Sequence, residues 1–149
     1  MRLKVDKLTV SKLIDFMWGA RRKDLEEFWI PQHQSIHDLN IEELARTLCL
    51  YDEDTNEVYC IWGIEDDGVL DRVIWMLCTK KVEEHPIAFL RYCKTYLKDL
   101  LDTKPLMWNY VWLGNELHVK WLKWMGATFG ETTTINGEPF QYFYFSKKE

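Results

Sequence analysis

The sequence lacks the patterns of several classes of protein. Its four cysteines are scattered, with no pair at the CxxC spacing of a zinc or redox site. We expect them to be free thiols in apolar surroundings. No apolar run reaches the ~20 residues of a membrane-spanning helix, and the first ten residues lack the apolar region of a secretory signal. These absences predict a cytoplasmic protein without a membrane partner.

Common catalytic and nucleic-acid-binding patterns are also missing. No serine is flanked by the glycines of a nucleophile elbow, so a hydrolase is not supported. His33 and His37 are four residues apart, but they lack the glutamate of an HExxH pattern and follow Pro31, so no metal site is expected. The net charge of −5 argues against a nucleic-acid partner. The locally basic exceptions are 21–23 and 80–81.

What is present is a globular chain rich in aromatic residues. Its 149 residues, 47% of them apolar and eight of them Trp, suit a single domain over 1–149. Apolar patterning predicts strands and helices in the order βαα-βββ-α-β-α-ββ. The predicted strands before the C-terminal third are 3–10, 48–51, 57–64 and 71–79. The class is therefore α/β (α+β), with a mixed, mostly antiparallel twisted sheet flanked by helices.

The helices of the first two thirds are predicted from caps and spacing. Ser11 can cap a helix whose inner side carries Leu13, Ile14, Met17 and Trp18. The polar segment 21–40 is interrupted by proline and predicts a loop or a broken helix. Asn40 can cap a short helix that follows it. The longest helix is predicted over 86–101, because proline is favoured at the first helical position.

The C-terminal third, from Pro105 to Phe145, carries the clearest pattern. It begins with the strand-like PLMWNYVWLGN and continues with ELHVKWLKWMG, whose apolar residues have the spacing of one helical face. Gly126 is placed as a left-handed C-terminal cap. The last segment holds two β-runs joined by Asn136-Gly137, a strong hairpin signal.

This strand, Asn-headed helix, glycine stop and closing hairpin resemble the C-terminal half of a GNAT-type acyltransferase domain. The sequence pattern WNYVWLGN…H…WLK…GA…F resembles more closely that of the small internal-virion or head-assembly proteins of short-tailed lytic phages, which are themselves GNAT-like. The resemblance implies a parallel pair of strands, 71–79 and the strand from Leu106, that splay apart near Leu77 and Trp112.

The resemblance also implies a place for coenzyme A. Its pyrophosphate would lie at the turn after the fourth strand, with Leu77, Thr79, Lys80, Lys81 and Asn115 as candidate cofactor-binding residues. The family's glycine-containing motif is absent from this turn, which reads TKKVEEHP. Two acidic residues there would face the pyrophosphate, and proline removes an amide. The two lysines could partly compensate, but they also read as a solvated strand end, and we favour a degenerate site.

The catalytic groups that the resemblance implies are only partly present. Leu122 occupies the position at which the family often carries a Tyr that acts as the general acid and protonates the coenzyme A thiolate. Candidate catalytic residues are Glu65, Tyr110 and His118, each with a structural alternative as a turn, strand or packed helix residue. Asn115 matches the family and could bind the coenzyme arm or cap its helix.

Two main hypotheses follow. In the first, the chain is a non-catalytic phage GNAT-fold protein that acts in virion assembly through contacts with a phage or host protein, with no cofactor. In the second, it is an acetyl-CoA-dependent N-acetyltransferase. A binding module directed against the host is a third reading. The resemblance implies residence in the host cytoplasm, with packaging in the virion left open. Without coenzyme A, Trp75 and Trp112 are expected to fill the splay.

Overall fold

The computed structural model describes residues 1–32, 41–66 and 72–147. Along the chain its elements are β1 (Leu3–Lys7), α1 (Val10–Gly19), α2 (Arg22–Gln32), α3 (Ile41–Ala45), β2 (Leu48–Asp52), β3 (Val58–Asp66), β4 (Arg72–Cys78), α4 (Lys81–Glu84), α5 (Pro86–Thr103), β5 (Leu106–Trp112), α6 (Glu116–Trp124), β6 (Thr128–Ile135) and β7 (Glu138–Ser146).

The strands form a seven-stranded mixed sheet in the order β1-β2-β3-β4-β5-β7-β6. The recorded pairings of β1 with β2, β2 with β3, β5 with β7 and β6 with β7 are antiparallel. β4 and β5 pair in parallel, with Val73 opposite Trp108. The predicted fold class and the parallel neighbours are thus confirmed. The splay beyond that pair stays a prediction.

The chain divides into two compact units, 1–64 with 75–86, and 65–74 with 87–149. In the first unit, the core is built from α1 and the neighbouring strands and includes Phe16, Val58 and Ile61. In the second, β5, β7, α5 and α6 contribute a core around Val111, Leu122 and the Phe143–Phe145 pair. Each unit is apolar inside because its strands and helices place one face inward.

The C-terminal third follows its prediction closely. α6 ends in a Schellman motif: Gly126 has φ +95° and its N–H donates to Lys123, while the N–H of Ala127 donates to Leu122. The β6–β7 hairpin turns at Asn136 and Gly137, both with positive φ, as a type I′ turn requires. These local signals are strong because few residues tolerate such backbone angles.

Helix α1 differs from its prediction in both cap and orientation. Its N-cap is Thr9, whose side-chain oxygen accepts from the N–H of Lys12 at 3.2 Å, so Ser11 lies inside the helix. Phe16 is fully buried, whereas Ile14 and Trp18 are exposed. The run LIDFMW allows two overlapping apolar faces, and the face packed in the core includes Leu13, Phe16 and Met17.

Helices α2 and α4 also differ from the prediction. Of the segment 21–40, predicted as a loop or a broken helix, residues 22–32 form α2, in which Pro31 is the penultimate residue and so disturbs only the last turn. A short helix, α4, precedes α5, and no such helix was predicted. His33, His37 and Asn40 lie outside the described residues. None of the described helices is long and apolar enough to cross a membrane.

The tryptophans of the C-terminal third differ in burial. Trp112 and Trp121 are buried, Trp108 is half-buried, and Trp124 is exposed, with the Lys94 ammonium 4.7 Å from its ring centre. In the first unit, the Trp75 indole packs directly against Gly63. A Cβ at residue 63 would lie only 2.8 Å from the indole Nε1, so a side chain does not fit there. That Trp75 and Trp112 fill a splay stays a prediction.

Candidate functional site

The turn between β4 and α5 is the place where the resemblance puts a coenzyme A pyrophosphate. Buried Leu77 lies near the end of β4, and Thr79 forms an isolated antiparallel bridge with Ala20. The Thr79 hydroxyl donates to the carbonyl of Val58 at 2.8 Å and accepts from the N–H of Lys81 at 3.2 Å. Thr79 therefore ties the turn to β3 and to the junction after α1.

The backbone amides of this turn donate inside the protein. The N–H groups of Thr79 and Lys80 bind the carbonyls of Tyr59 and Gly19 at 2.9 and 2.8 Å. Those of 82, 83 and 85 bind carbonyls of 79, 80 and 81 within the turn. An anion cradle requires N–H groups that are available to the ligand. Here the residues that replace the family's glycines form α4 instead.

A buried side chain holds α4 in place. Val82 is fully buried in the first unit, so the turn is anchored by apolar packing as well as by its hydrogen bonds. Opening the turn to admit a ligand would expose this side chain to water. The geometry thus favours a closed, structural turn.

The two lysines of the turn have different surroundings. The Lys81 ammonium lies 2.6 Å from a Glu57 carboxylate oxygen and 3.2 Å from one of Glu84. The hydrogen bond to Glu57 raises the pKa of Lys81 and, in return, lowers the pKa of Glu57. Lys80 is exposed, and no described carboxylate forms an ion pair with it. Of the two lysines, Lys80 is therefore the one that presents its charge to solvent, and the exposed Glu83 and Glu84 lie in the same turn.

A buried ionic cluster that the sequence analysis missed supports the same turn. Asp24 is 1% exposed and pairs with Arg21, and its other carboxylate oxygen accepts from the N–H of Cys78 at 2.6 Å. Glu83 lies 3.7 Å from the Arg21 guanidinium. The i,i+3 spacing of Arg21 and Asp24 is the signal available in the sequence, but both residues lie in the polar segment that was predicted as a loop or a broken helix. Helix α2 is thereby fastened to the end of β4.

Asn115 lies in the second unit and does not cap α6 through its side chain. It occupies the N-cap position, but its side chain makes no capping hydrogen bond, so that expectation was wrong. Its ψ of 71° also departs from the extended ψ of 163° at Thr9, which caps α1 with its side chain. The Asn115 side chain is fully buried. Its role toward a cofactor stays a prediction.

The candidate catalytic residues are placed as follows in the second unit. Glu65 is exposed near the end of β3, rather than in a turn. Tyr110 is exposed on β5, with its ring 5.5 Å from that of Tyr142. His118 is half-buried on α6, and Leu122 is buried in the core of this unit. Their catalytic roles stay predictions.

The described residues contain no cluster of His, Cys, Asp or Glu able to hold a metal ion. All four cysteines are buried and free of disulfides. Burial raises the pKa of the Cys49 thiol to about 12. A buried thiol with a raised pKa is a poor nucleophile, because the thiolate is the reactive form.

Comparison with solved structures identifies the fold. A GNAT-family acetyltransferase from Bacillus anthracis matches with a TM-score of 0.73 and 11% identity, covering 100% of this chain and 97% of its own. The ribosomal-protein-S5-alanine acetyltransferase of Vibrio fischeri matches at 0.69 and 10% identity, over 100% and 95% of the two chains. The spermidine N-acetyltransferase of Vibrio cholerae, solved with CoA and spermine, matches at 0.66 and 13%, over 98% and 96%. At these identities the likeness concerns the fold alone.

Comparison of sequences identifies the family. Residues 55–134, more than half of the chain, match the family described as "Bacteriophage T7, probable scaffold protein Gp13". The probable scaffold protein gp13 of Escherichia phage T7 is 35% identical over 86 residues, which are 58% of this chain and 55% of that protein. The match thus spans about half the length of that curated relative. The chain, with its GNAT fold, belongs to the family of the probable scaffold protein Gp13 of bacteriophage T7.

Proposed function

We propose that this protein is a non-catalytic GNAT-fold scaffold that acts in phage virion assembly through contacts with other proteins. The proposal is supported by the family, which is described as that of a probable phage scaffold protein, since a scaffold acts by contacting other phage components. In this proposal it acts in the host cytoplasm, with no cofactor, and its partner is a phage protein.

The observation that carries the proposal is the closed turn between β4 and α5. Its amides donate to carbonyls and to the Thr79 hydroxyl, Val82 is buried beneath it, and Lys81 is held by two carboxylates. A pyrophosphate would have to break several of these hydrogen bonds, and each broken bond leaves a polar group to be satisfied again. Leu122, where the family's Tyr would stand, cannot donate a proton to a leaving thiolate.

An acetyltransferase remains the rival function because two features favour it. Lys80 is exposed and could attract a phosphate, and Asn115 matches the family pattern. The two functions differ in one measurable property, which is affinity for acetyl-CoA. Calorimetric titration at low ionic strength is the sensitive condition, since salt screens exposed charges.

We expect no measurable heat of acetyl-CoA binding by the unmodified protein. The comparison variant is Lys80→Glu with Lys81→Glu, and the matched control is Lys98→Glu with Lys120→Glu, which changes the same charge on exposed lysines of α5 and α6. A dissociation constant in the low micromolar range that is lost in the first variant and kept in the control would establish the cofactor site and overturn the proposal. Circular dichroism of both variants confirms that they are folded.

A second arm tests the assembly role. Phage lacking the gene should produce fewer complete particles, and a plasmid copy of the unmodified protein should restore them. The Lys80→Glu single variant should restore them equally, because no step depends on the cofactor. Failure of Lys80→Glu, with the exposed control Lys98→Glu active, would favour the acetyltransferase.

A further inference from the structure

Strand β6 forms one outer edge of the sheet, since it pairs with β7 on one side and stands last in the strand order. Residue 128 and residues 130–134 of this strand are exposed. Within the described part of the chain, no backbone hydrogen bond joins β6 to any element other than β7. An edge of this kind offers N–H and C=O groups that only another extended backbone can match in a row.

The hairpin geometry determines which backbone groups of β6 point outward. The two residues that flank the Asn-Gly turn exchange hydrogen bonds with each other, and the pairing then alternates along the strands. Thr133 therefore bonds toward β7, whereas the N–H and C=O groups of Thr132 and Thr134 point away from it. Pro139, the partner of Thr134, has its carbonyl on the other side of β7, where it accepts from the N–H of Leu113 at 3.0 Å. That bond is the one the alternation requires.

The opposite edge of the sheet, β1, is protected against pairing with another strand. It has five residues, and three of them, Lys4, Asp6 and Lys7, are charged. Short, charged edge strands resist the addition of a further strand. β6 has eight residues, and Glu131 is the charged one among them. Of the two edges, β6 is thus the one suited to receive a strand.

We propose that β6 pairs with β6 of a second copy of this chain, antiparallel and with a two-fold axis at Thr133. In this register Thr132 of each copy lies opposite Thr134 of the other. Each opposed pair exchanges its outward N–H and C=O groups in hydrogen bonds, and the axis repeats the exchange. The strand is self-complementary because the residues on either side of the axis are the ones that point outward. The inference goes beyond the proposed function, since it needs neither a partner of another kind nor a cofactor.

The side chains of β6 also fit this register. Thr132 meets Thr134, Thr133 meets its own equivalent, and cross-strand threonine pairs are favourable. Glu131 lies opposite Ile135 of the second copy, so the two carboxylates are not opposed. A register centred on Glu131 would oppose them and would also fall in the irregular part of the β6–β7 pairing. The axis at Thr133 is therefore favoured by charge as well as by backbone geometry.

The contact is small, so the association should be reversible. It involves residues 131–135 of each copy, whereas a standard interface takes about 20–30 residues from each side. We expect a dissociation constant of about 10 μM to 1 mM. Such a contact becomes effective where several copies are held close together, as the proposed assembly role would require.

Paired charge substitutions test the register by sedimentation equilibrium at low salt. Thr132→Lys with Thr134→Lys opposes two ammonium groups in each pair, whereas Thr132→Lys with Thr134→Glu opposes an ammonium and a carboxylate. The Lys/Glu variant should associate at least about tenfold more tightly than the Lys/Lys variant, with the unmodified protein between them. Unmodified protein that stays monomeric up to about 1 mM, or equal association of the two variants, would overturn the proposal.

Net charge cannot produce the expected difference. The Lys/Lys variant adds two positive charges to the net charge of −5, which gives −3, while the Lys/Glu variant stays at −5. General repulsion between copies would therefore weaken the Lys/Glu dimer more, which is the reverse of the expected order. The order expected here arises only if residues 132 and 134 face each other.

A cysteine on the axis locates the contact on β6. In Thr133→Cys the two new thiols face each other at a non-hydrogen-bonded position, where Cα atoms about 4.5 Å apart permit a disulfide. Diamide, which takes up two electrons and two protons, should convert them into a disulfide-linked dimer. Thr128→Cys is the matched control, an exposed threonine of the same strand whose two copies would lie about 30 Å apart. The native cysteines are buried. Equal crosslinking of both variants, or of neither, would contradict the axis at Thr133.

The size of the assembly distinguishes two-fold pairing from other arrangements. A two-fold axis uses β6 of both copies, so the dimer should be the largest species. Species larger than a dimer would mean that β6 binds a different edge, and the proposal would be wrong. Thr132→Pro should remove the dimer, because proline lacks the outward N–H, and should keep the β6–β7 bonds. Thermal unfolding verifies that this variant is folded. None of these measurements involves acetyl-CoA, so a failure here is distinguishable from a failure of the proposed function.

Discussion

At the scale of single residues, backbone geometry decides whether a residue at the start of a helix caps it with its side chain. Thr9 and Asn115 both open a helix, yet only Thr9 caps with its side chain. Capping requires the extended ψ that presents the side-chain oxygen to the first amides, and Asn115 lacks that ψ. Asn115 is instead a fully buried polar residue, so substitutions there act on the core of the second unit.

We expect Thr9→Ala to lower the free energy of unfolding by about 1 kcal/mol, the usual value of a lost cap. Asn115→Asp should cost more than Thr9→Ala, on the order of 2–3 kcal/mol, because it places a charge in a fully buried position. Urea unfolding followed by fluorescence measures both. If Asn115→Asp were neutral while Asn115→Ala cost about 1 kcal/mol, Asn115 would be a cap after all.

At the scale of elements, glycines adapt the backbone to the tryptophans. In the second unit, Gly114 lies beneath the Trp112 indole, and a Cβ at this position would overlap the ring. In the first unit, Gly63 has the same relation to Trp75. Each tryptophan therefore packs on backbone because its neighbour has no side chain.

Gly114→Ala should lower the free energy of unfolding by about 1–3 kcal/mol, the usual cost of overpacking. Gly19→Ala is the matched control: it is the last residue of α1, and its new Cβ would lie 3.6 Å from the Thr79 Cβ, an ordinary contact. This control should be neutral or slightly stabilising, since Ala favours helix over Gly. Equal effects of the two substitutions in thermal unfolding would contradict the packing of Trp112 on Gly114.

At the scale of the whole molecule, a GNAT fold is combined with a closed turn where the resemblance implies a cofactor site. The turn is held by backbone hydrogen bonds, by Val82 and by the charges of Lys81 and Glu57. The fold alone does not determine function, because the same sheet can carry a binding cleft or a purely structural surface. The charges of this turn also make a small, pH-dependent contribution to stability.

The pKa of Glu57 is lowered, chiefly by the hydrogen bond from Lys81, so its carboxylate binds protons more weakly in the folded protein. The stabilisation is present above the ordinary value of 4.5 and is lost as pH falls through the folded pKa below it. Because both side chains are about a third or more exposed, Glu57→Gln should cost less than ~1 kcal/mol at pH 7.

That deficit should disappear in urea titrations near pH 3 or below, whereas Glu131→Gln, on exposed β6, should show none at either pH. A Glu57→Gln deficit that persists at low pH would mean that the ion pair is not its cause.

Local signals in the sequence were sufficient for the C-terminal third. The glycine stop at 126 and the Asn136-Gly137 turn depend on backbone angles that few residues accept, so neighbouring residues alone determine them. The start of α5 at Pro86 follows for the same reason. The order of strands and helices along the chain also followed from apolar patterning, whereas the parallel pairing of β4 with β5 was implied by the resemblance.

Only the tertiary structure decided three features: which face of α1 is buried, the buried ion pair of Arg21 with Asp24, and the folding of the turn after β4 into α4. The apolar run in α1 permits two faces, and contact with the core of the first unit selects the one that contains Phe16. The Asp24 carboxylate meets the Cys78 amide 54 residues away, a contact that no local pattern encodes. Long-range packing chooses among locally equivalent arrangements, and here it left Trp18 in solvent and closed the turn.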